Sequence, residues 1–248
     1  MARGRPRRLV WQNEAGGLTF EVSDGDGRFF VKWLPPERAD DLDAEAARLR
    51  WAAPFVVVPH VIDQHRDPSG GWLATTAVPG DNAVSSRWRS DPGTAVRAMG
   101  EGLRSLHERL PRASCPFSWS AAGRLADAER RAATGRLDPR RWDPVHRSLD
   151  LATALARAAD IPPVDSLVVC HGDSCAPNTI LTDDGRCAGH VDLGAMGLAD
   201  RWADLAVATW STEWNYGPGW EQALLDAYGL PADPERSRYY RLLWDLGP

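Results

Sequence analysis

The chain has 248 residues, 43% hydrophobic and 25% charged, which is enough for one large domain or two small lobes around a substantial core. A formal net charge of −5 argues against nucleic acid as the principal partner, and no apolar run approaches the length that spans a bilayer. The basic opening MARGRPRRL lacks the apolar core and small-residue cleavage site of a secretory signal, so the expected location is the cytoplasm.

In chain order, residues 9–12 and 18–22 read as strands flanking Asn13-Glu14-Ala15-Gly16-Gly17. A hairpin there places the backbone N–H groups of Gly16 and Gly17 over a phosphate. Residues 28–33 form a third strand, which carries Lys32. Of 29 basic residues Lys32 is the only lysine. A compact ammonium is not interchangeable with a planar guanidinium between phosphates, so Lys32 is the candidate phosphate-binding cation. Pro35-Pro36 breaks the strand. Residues 40–51 follow as a helix with Leu42, Ala46 and Leu49 at helical spacing, and Glu45 on this helix is placed to pair with Lys32. Residues 55–62 and 71–78 give two further strands, and Val78-Pro79-Gly80 reads as a hinge.

Beyond the hinge the pattern turns helical. Residues 94–110 carry Met99, Leu103, Leu106 and Leu110 on one face, with His107 beside that stripe as a packed or surface residue. Helices over 121–134 and 146–159 are joined by an Asp/Arg/Pro-rich loop containing Asp143. Helices over 200–212, 219–228 and 234–244 close the chain. No internal repeat or low-complexity tract is present. A β-rich first third followed by helices with one inserted hairpin predicts an α+β fold of two lobes.

The chemistry concentrates in residues 167–194. An apolar strand ends at His171-Gly172-Asp173; Asn178 follows, then the turn Asp183-Asp184-Gly185-Arg186 and a return strand that delivers Asp192. Phosphoryl transfer from ATP would use this set. Asp173 would orient the attacking hydroxyl and take its proton, while Asn178 and Asp192 would offer oxygen ligands to Mg²⁺. The four cysteines lack paired zinc spacing. Cys170, His171, Cys175 and His190 nevertheless lie near enough in sequence to raise a soft-metal site, with Cys170 reading as a core residue, and a metal-dependent hydrolase using His171 and His190 is an alternative.

The order Asp-x4-Asn, hairpin, Asp-Leu-Gly matches the catalytic and metal loops of the protein-kinase-like superfamily. The chain as a whole resembles the aminoglycoside phosphotransferases, specifically the 3′-type kanamycin and neomycin kinases. That resemblance rests on residues 43–49 (DAEAARL), Val78-Pro79-Gly80, Leu106-His107, Cys115-Pro116-Phe117 and His171-Gly172-Asp173. It continues through Asp192-Leu193-Gly194, residues 197–201 (GLADR), Asp204-Leu205-Ala206, Tyr228-Gly229 and residues 240–243 (YRLL). It implies a bilobal protein-kinase-like fold. The expected N-lobe (residues 1–78) is a small antiparallel sheet with one helix that binds ATP; the C-lobe (79–248) is larger, mainly helical and holds the acceptor. Asp173 would be the base, Asn178 and Asp192 the Mg²⁺ ligands, Lys32 and Glu45 the phosphate-positioning pair, and residues 75–78, including Thr76 and Val78, the adenine-contacting hinge.

The departures fall in the acceptor half. Trp210-Ser211 stands where these enzymes typically carry Arg-Asp, Asp143-Pro144 replaces an acidic pair, and the ending is residues 244–248 (WDLGP). Acceptor contacts are expected from Asp143, Ser211, Glu213, Asp245 and the terminal carboxylate of Pro248. The implied partner is a small aminoglycoside or amino sugar, bound by a monomer or weak dimer. The competing readings are a kinase of the same fold acting on another metabolite and a nucleotide-binding pseudokinase.

Overall fold

The computed structural model describes residues 6–13, 16–23 and 27–247. Strands β1 (Arg7–Gln12), β2 (Leu18–Ser23), β3 (Arg28–Leu34), β4 (Val61–Asp67) and β5 (Gly70–Thr76) form one antiparallel sheet in the order β1-β2-β3-β5-β4. Helix α1 (Ala39–Ala52) lays Leu42, Ala46 and Leu49 against β5 and β4. This is the expected small sheet with one helix.

One expected strand is displaced. Residues 55–60 are irregular, and β4 begins only at Val61. The apolar run has other uses for its backbone: Phe55 and Val56 N–H donate to Ala52 O at the end of α1, Pro59 has no N–H, and Val57 O accepts from His190 N.

The rest of the chain contains β6 (Asp81–Asn82), α2 (Ser86–Arg89), α3 (Pro92–Arg109), α4 (Ala121–Ala133) and α5 (Leu151–Ala159). After these come β7 (Leu167–Cys170), β8 (Thr179–Leu181), β9 (Cys187–His190), β10 (Gly197–Asp200), α6 (Trp202–Tyr216), α7 (Glu221–Tyr228) and α8 (Pro234–Asp245). The hairpin β8–β9 is extended by β6 into a three-stranded sheet, and β7 pairs antiparallel with β10. Among the described residues no helix is long and apolar enough to cross a membrane.

Two helices start later than their apolar patterns predict. The helix expected from His146 begins at Leu151, because Asp150 caps it by accepting from Thr153 N at 2.7 Å and His146 turns away to Asp245. The helix expected from Asp200 begins at Trp202, because Gly197–Asp200 is spent as strand β10 against β7. Strands β6 and β10 and helix α2 are too short to leave a periodic signal in the sequence.

One hydrophobic core runs through both parts, from Leu42 and Leu49 of α1 to Leu205 of α6 and Leu243 of α8. Helix α3 crosses α7 closely because Gly100 faces it. A Cβ at position 100 would stand 2.5 Å from Leu224 O and 2.8 Å from Ala227 Cβ. In an open helix Gly→Ala gains about 1 kcal/mol, whereas overfilling a packed contact costs about 1–3 kcal/mol. Gly100→Ala should therefore lower the thermal midpoint and the urea midpoint; a raised midpoint would show that the crossing has room.

Candidate active site

Strand β7 ends at Cys170 and the chain turns at Gly172, whose φ is 85°. A Cβ there would lie 2.3 Å from Ala195 O, so only glycine lets the catalytic loop cross the segment after β9. The turn is fastened from below by Asp204 of α6, which is fully buried. Asp204 Oδ2 accepts from His171 N at 2.6 Å and from His107 Nε2 at 3.0 Å, and Oδ1 accepts from Gly172 N at 2.9 Å. Burial opposes its charged form. The hydrogen bond and charge of His107, the His171 ring and the Gly172 N–H outweigh that, and hold the carboxyl below its ordinary range.

The His171 ring is held at both of its nitrogens. Nε2 lies 3.0 Å from Val191 O, which can only accept, and Nδ1 accepts from Asp173 N at 3.2 Å. This ring joins the loop after β7 to the end of β9. The same two segments are joined again by Val191 N, which donates to Asn178 O at 3.0 Å. Asp173 is half-buried, and its carboxylate has no ion pair among the described residues. Its neighbour is a thiol: burial first, then the Asp173 charge, push Cys175 well above its usual range.

Asn178 Nδ2 donates to Asp173 O at 2.9 Å, which turns the amide oxygen away from the loop backbone. Asp192 is the one non-glycine residue with positive φ (64°) among the described residues. Its carboxylate lies against Lys32 Nζ, and the same ammonium donates to Glu45 Oε1 at 2.6 Å. The Lys32 ammonium sits between the carboxylates of Glu45 and Asp192. Val191, the residue before Asp192, is bonded to Asn178, whose amide in turn holds the backbone at Asp173, so one chain of contacts links all five residues.

Gly16 (φ 81°) and Gly17 close a turn on Asn13, with Gly16 N donating to Asn13 O and Gly17 N to Asn13 Oδ1 at 2.6 Å. Both amides are spent within the turn, and Glu14 and Ala15 lie outside the described residues. Thr76 Oγ1 accepts from His60 N at 2.9 Å, and Val78 is buried just before the hinge.

On the acceptor side, Asp143 and Glu213 line a cleft of ≈ 450 Å³ with Trp210, Trp214, Arg238 and Arg241. Asp245 stands behind its wall, accepting from Asp143 N at 3.1 Å and His146 Nδ1 at 2.6 Å. Ser211 corrects its expected role. It is fully buried, and its hydroxyl accepts from Ala176 N at 2.9 Å, so it braces the catalytic loop and has no face in the cleft. Pro248 lies outside the described residues.

Sequence reasoning gave no role to Asp204 or Tyr228 and read His107 as a packed or surface residue; it is buried. The three form a buried chain in which the Tyr228 hydroxyl meets His107 Nδ1 at 2.8 Å. The signal was available as a charged residue and a histidine on the apolar faces of two helices. The soft-metal alternative has no support in its residues: His190 is buried and edge-on to His171 at 5.6 Å, and Cys170 donates to Asp200 O. The one cluster of metal-capable groups among the described residues is His107, Cys170 and Asp204, and all three are engaged in hydrogen bonds.

Residues 12–240 match the model of the phosphotransferase enzyme family. An aminoglycoside 3′-phosphotransferase of Streptomyces fradiae is 34% identical, with 94% of this chain and 92% of the relative covered. The crystal structure of a type VIII aminoglycoside 3′-phosphotransferase superposes with a TM-score of 0.85 at 31% identity, covering 98% of this chain and 94% of that one. A type 3″-Id aminoglycoside phosphotransferase of Streptomyces rimosus, solved with ADP and streptomycin, gives 0.79 at 28% identity, covering 99% and 93%.

His190 supplies a pH test of this site. Burial, then the neighbouring His171, lowers its pKa from 6.5 to about 3. The unfolded chain therefore binds a proton that the folded chain refuses. Stability is complete above about pH 6.5 and is lost progressively as pH falls toward about 3, by at most about 1.4 kcal/mol per pH unit. Urea titrations of wild type and His190→Gln from pH 7 to 4.5 should diverge, the variant having the shallower acid slope. Parallel profiles would mean that another group sets the acid limb.

Proposed function

This chain belongs to the phosphotransferase enzyme family, and we propose that it transfers the γ-phosphoryl group of ATP to a hydroxyl of an aminoglycoside. The observation that carries this reading is the linkage of the Lys32–Glu45–Asp192 ion cluster to Asn178 and Asp173 through adjoining hydrogen bonds. The acceptor class is supported by the substrates named for relatives that match along nearly their whole length.

The residues present fit Mg²⁺. Asp192 supplies a carboxylate, and Asn178 an amide oxygen left over after its nitrogen is engaged; both are hard donors suited to that ion. Bound there, Mg²⁺ would neutralise charge on the transferring phosphoryl group. Lys32, held by Glu45, would place its ammonium against the nucleotide phosphates. Asp173 would fix the acceptor hydroxyl and take its proton as the oxygen attacks. An unpaired, half-buried carboxylate serves that task better than one neutralised by a cation. Residues 75–78 would meet the adenine, which divides the chain functionally near residue 78, and ATP as donor places the reaction in the cytoplasm.

Two variants test these roles, with ATP consumption measured across a panel of aminoglycosides. Asp173→Asn keeps the shape but removes the base, so turnover should fall by about 10²–10⁴-fold while nucleotide binding persists. Unchanged turnover in the purified variant would remove Asp173 from the mechanism. Lys32→Arg preserves charge but replaces a point ammonium with a broad fork in a pocket already shaped by two carboxylates. It should reduce kcat/KM for ATP by about tenfold or more. A kinetically silent Lys32→Arg would make the chain's sole lysine incidental.

A further inference from the structure

The acceptor cleft is not acidic. Its two carboxylates, Asp143 and Glu213, face two guanidinium groups, Arg238 and Arg241, so the formal charge of its lining is balanced. The acids are also partly committed: Asp143 Oδ1 accepts from Val145 N at 3.0 Å, and Asp245 behind the wall is used by Asp143 N and His146.

The two arginines differ. Arg241 is structural: its Nε donates to Ala206 O, its Nη2 donates to Thr209 Oγ1 and to Glu221 Oε2 at 2.8 Å, and its guanidinium lies over the Trp210 ring at 5.4 Å. Arg238, one turn earlier on α8, is exposed and has neither an ion pair nor a hydrogen bond among the described residues. Its donors are free to face whatever occupies the cleft. Trp214, 45% exposed, packs tilted at 41° against the buried Trp210, ring centroids 5.0 Å apart, on the same wall.

We infer that Arg238 determines the charge class of the acceptor: the cleft takes an amino sugar or aminocyclitol with few ammonium groups, whose oxygen-rich face meets the free guanidinium. The inference rests on the aminoglycoside reading above and narrows it. A polycation entering this cleft meets Arg238 as a like charge, which offsets part of the attraction exerted by Asp143 and Glu213. A ligand with few cations loses little. Its hydroxyl, carbonyl or carboxylate oxygens gain the charge-assisted donors of Arg238, and its sugar ring gains the Trp214 face. The cleft adjoins the catalytic loop through α6, which carries Ser211 under Ala176 as well as Trp210, Glu213 and Trp214 on the cleft wall.

The test measures binding separately from transfer. Neomycin, kanamycin, streptomycin and spectinomycin, in falling order of cationic charge, are titrated calorimetrically into the full chain and into Arg238→Glu and Arg238→Gln. Phosphate transfer from ATP is assayed in parallel. Wild type should bind spectinomycin or streptomycin more tightly than neomycin. Arg238→Glu should raise neomycin affinity by about three- to tenfold, lower that of spectinomycin, whose oxygens lose the guanidinium, and show a smaller neomycin gain as salt screens it. Arg238→Gln should fall between. Neomycin binding tightest in wild type, an equal shift for all four ligands in Arg238→Glu, or no binding by any of them would each overturn the inference. Binding in the expected order without phosphate transfer would leave Arg238 in its role and bring down the kinase reading instead.

Discussion

A carboxylate with no access to water sits beneath the catalytic loop, and the loop's geometry depends on it. An ion as buried as Asp204 costs several kcal/mol in desolvation unless every lone pair is used. Here the two backbone N–H groups at His171 and Gly172 and the His107 ring use them. The arrangement is directional. Two consecutive amides aimed at one carboxylate fix the peptide planes that lead into Asp173, and so fix where that residue's own carboxylate stands. Losing the carboxylate would leave two buried donors without partners at the point where the chain reverses.

Helix α6 extends that control to the acceptor. Asp204 near its start holds the loop before Asp173, and Ser211 two turns later holds the loop after it, at Ala176. The same helix then presents Trp210, Glu213 and Trp214 to the cleft. One element thus sets the loop around Asp173 and the wall of the neighbouring cleft in a common frame, so small rotations of the helix would move both together. A serine suits this work better than an acid at position 211. The position is dry, and a hydroxyl can accept from Ala176 N without carrying a charge into the interior.

The other half of the site is assembled across the two structural parts. Lys32 comes from the sheet, Glu45 from α1 and Asp192 from the segment after β9, and the three meet at a single ammonium. Arg48 of α1 reinforces the junction by donating to Met196 O at 2.7 Å. Asp192 reaches Lys32 from a left-handed backbone conformation that a non-glycine residue adopts at some energetic cost. Short polar side chains tolerate it best.

The linear order of residues determined the chemistry-bearing set, because an Asp, an Asn and an Asp separated by a strand end and a tight hairpin are local features. Backbone turns and short spacing fix their relative placement with little help from the rest of the chain. Lys32 was legible for a different reason, as the only ammonium in a chain that otherwise uses guanidinium. Tertiary structure alone decided what depends on distant partners. Residues 55–60 lose their strand to contacts with α1 and His190, Asp200 ends a strand rather than starting a helix, and Ser211 faces inward to Ala176. The balanced charge of the acceptor cleft was likewise invisible, since Asp143, Glu213 and Arg238 lie far apart in the chain and only the packing of α8 beside α6 brings them together. Short-range order is written in propensity and spacing, whereas the sign of a pocket is a sum over neighbours that only the folded chain defines.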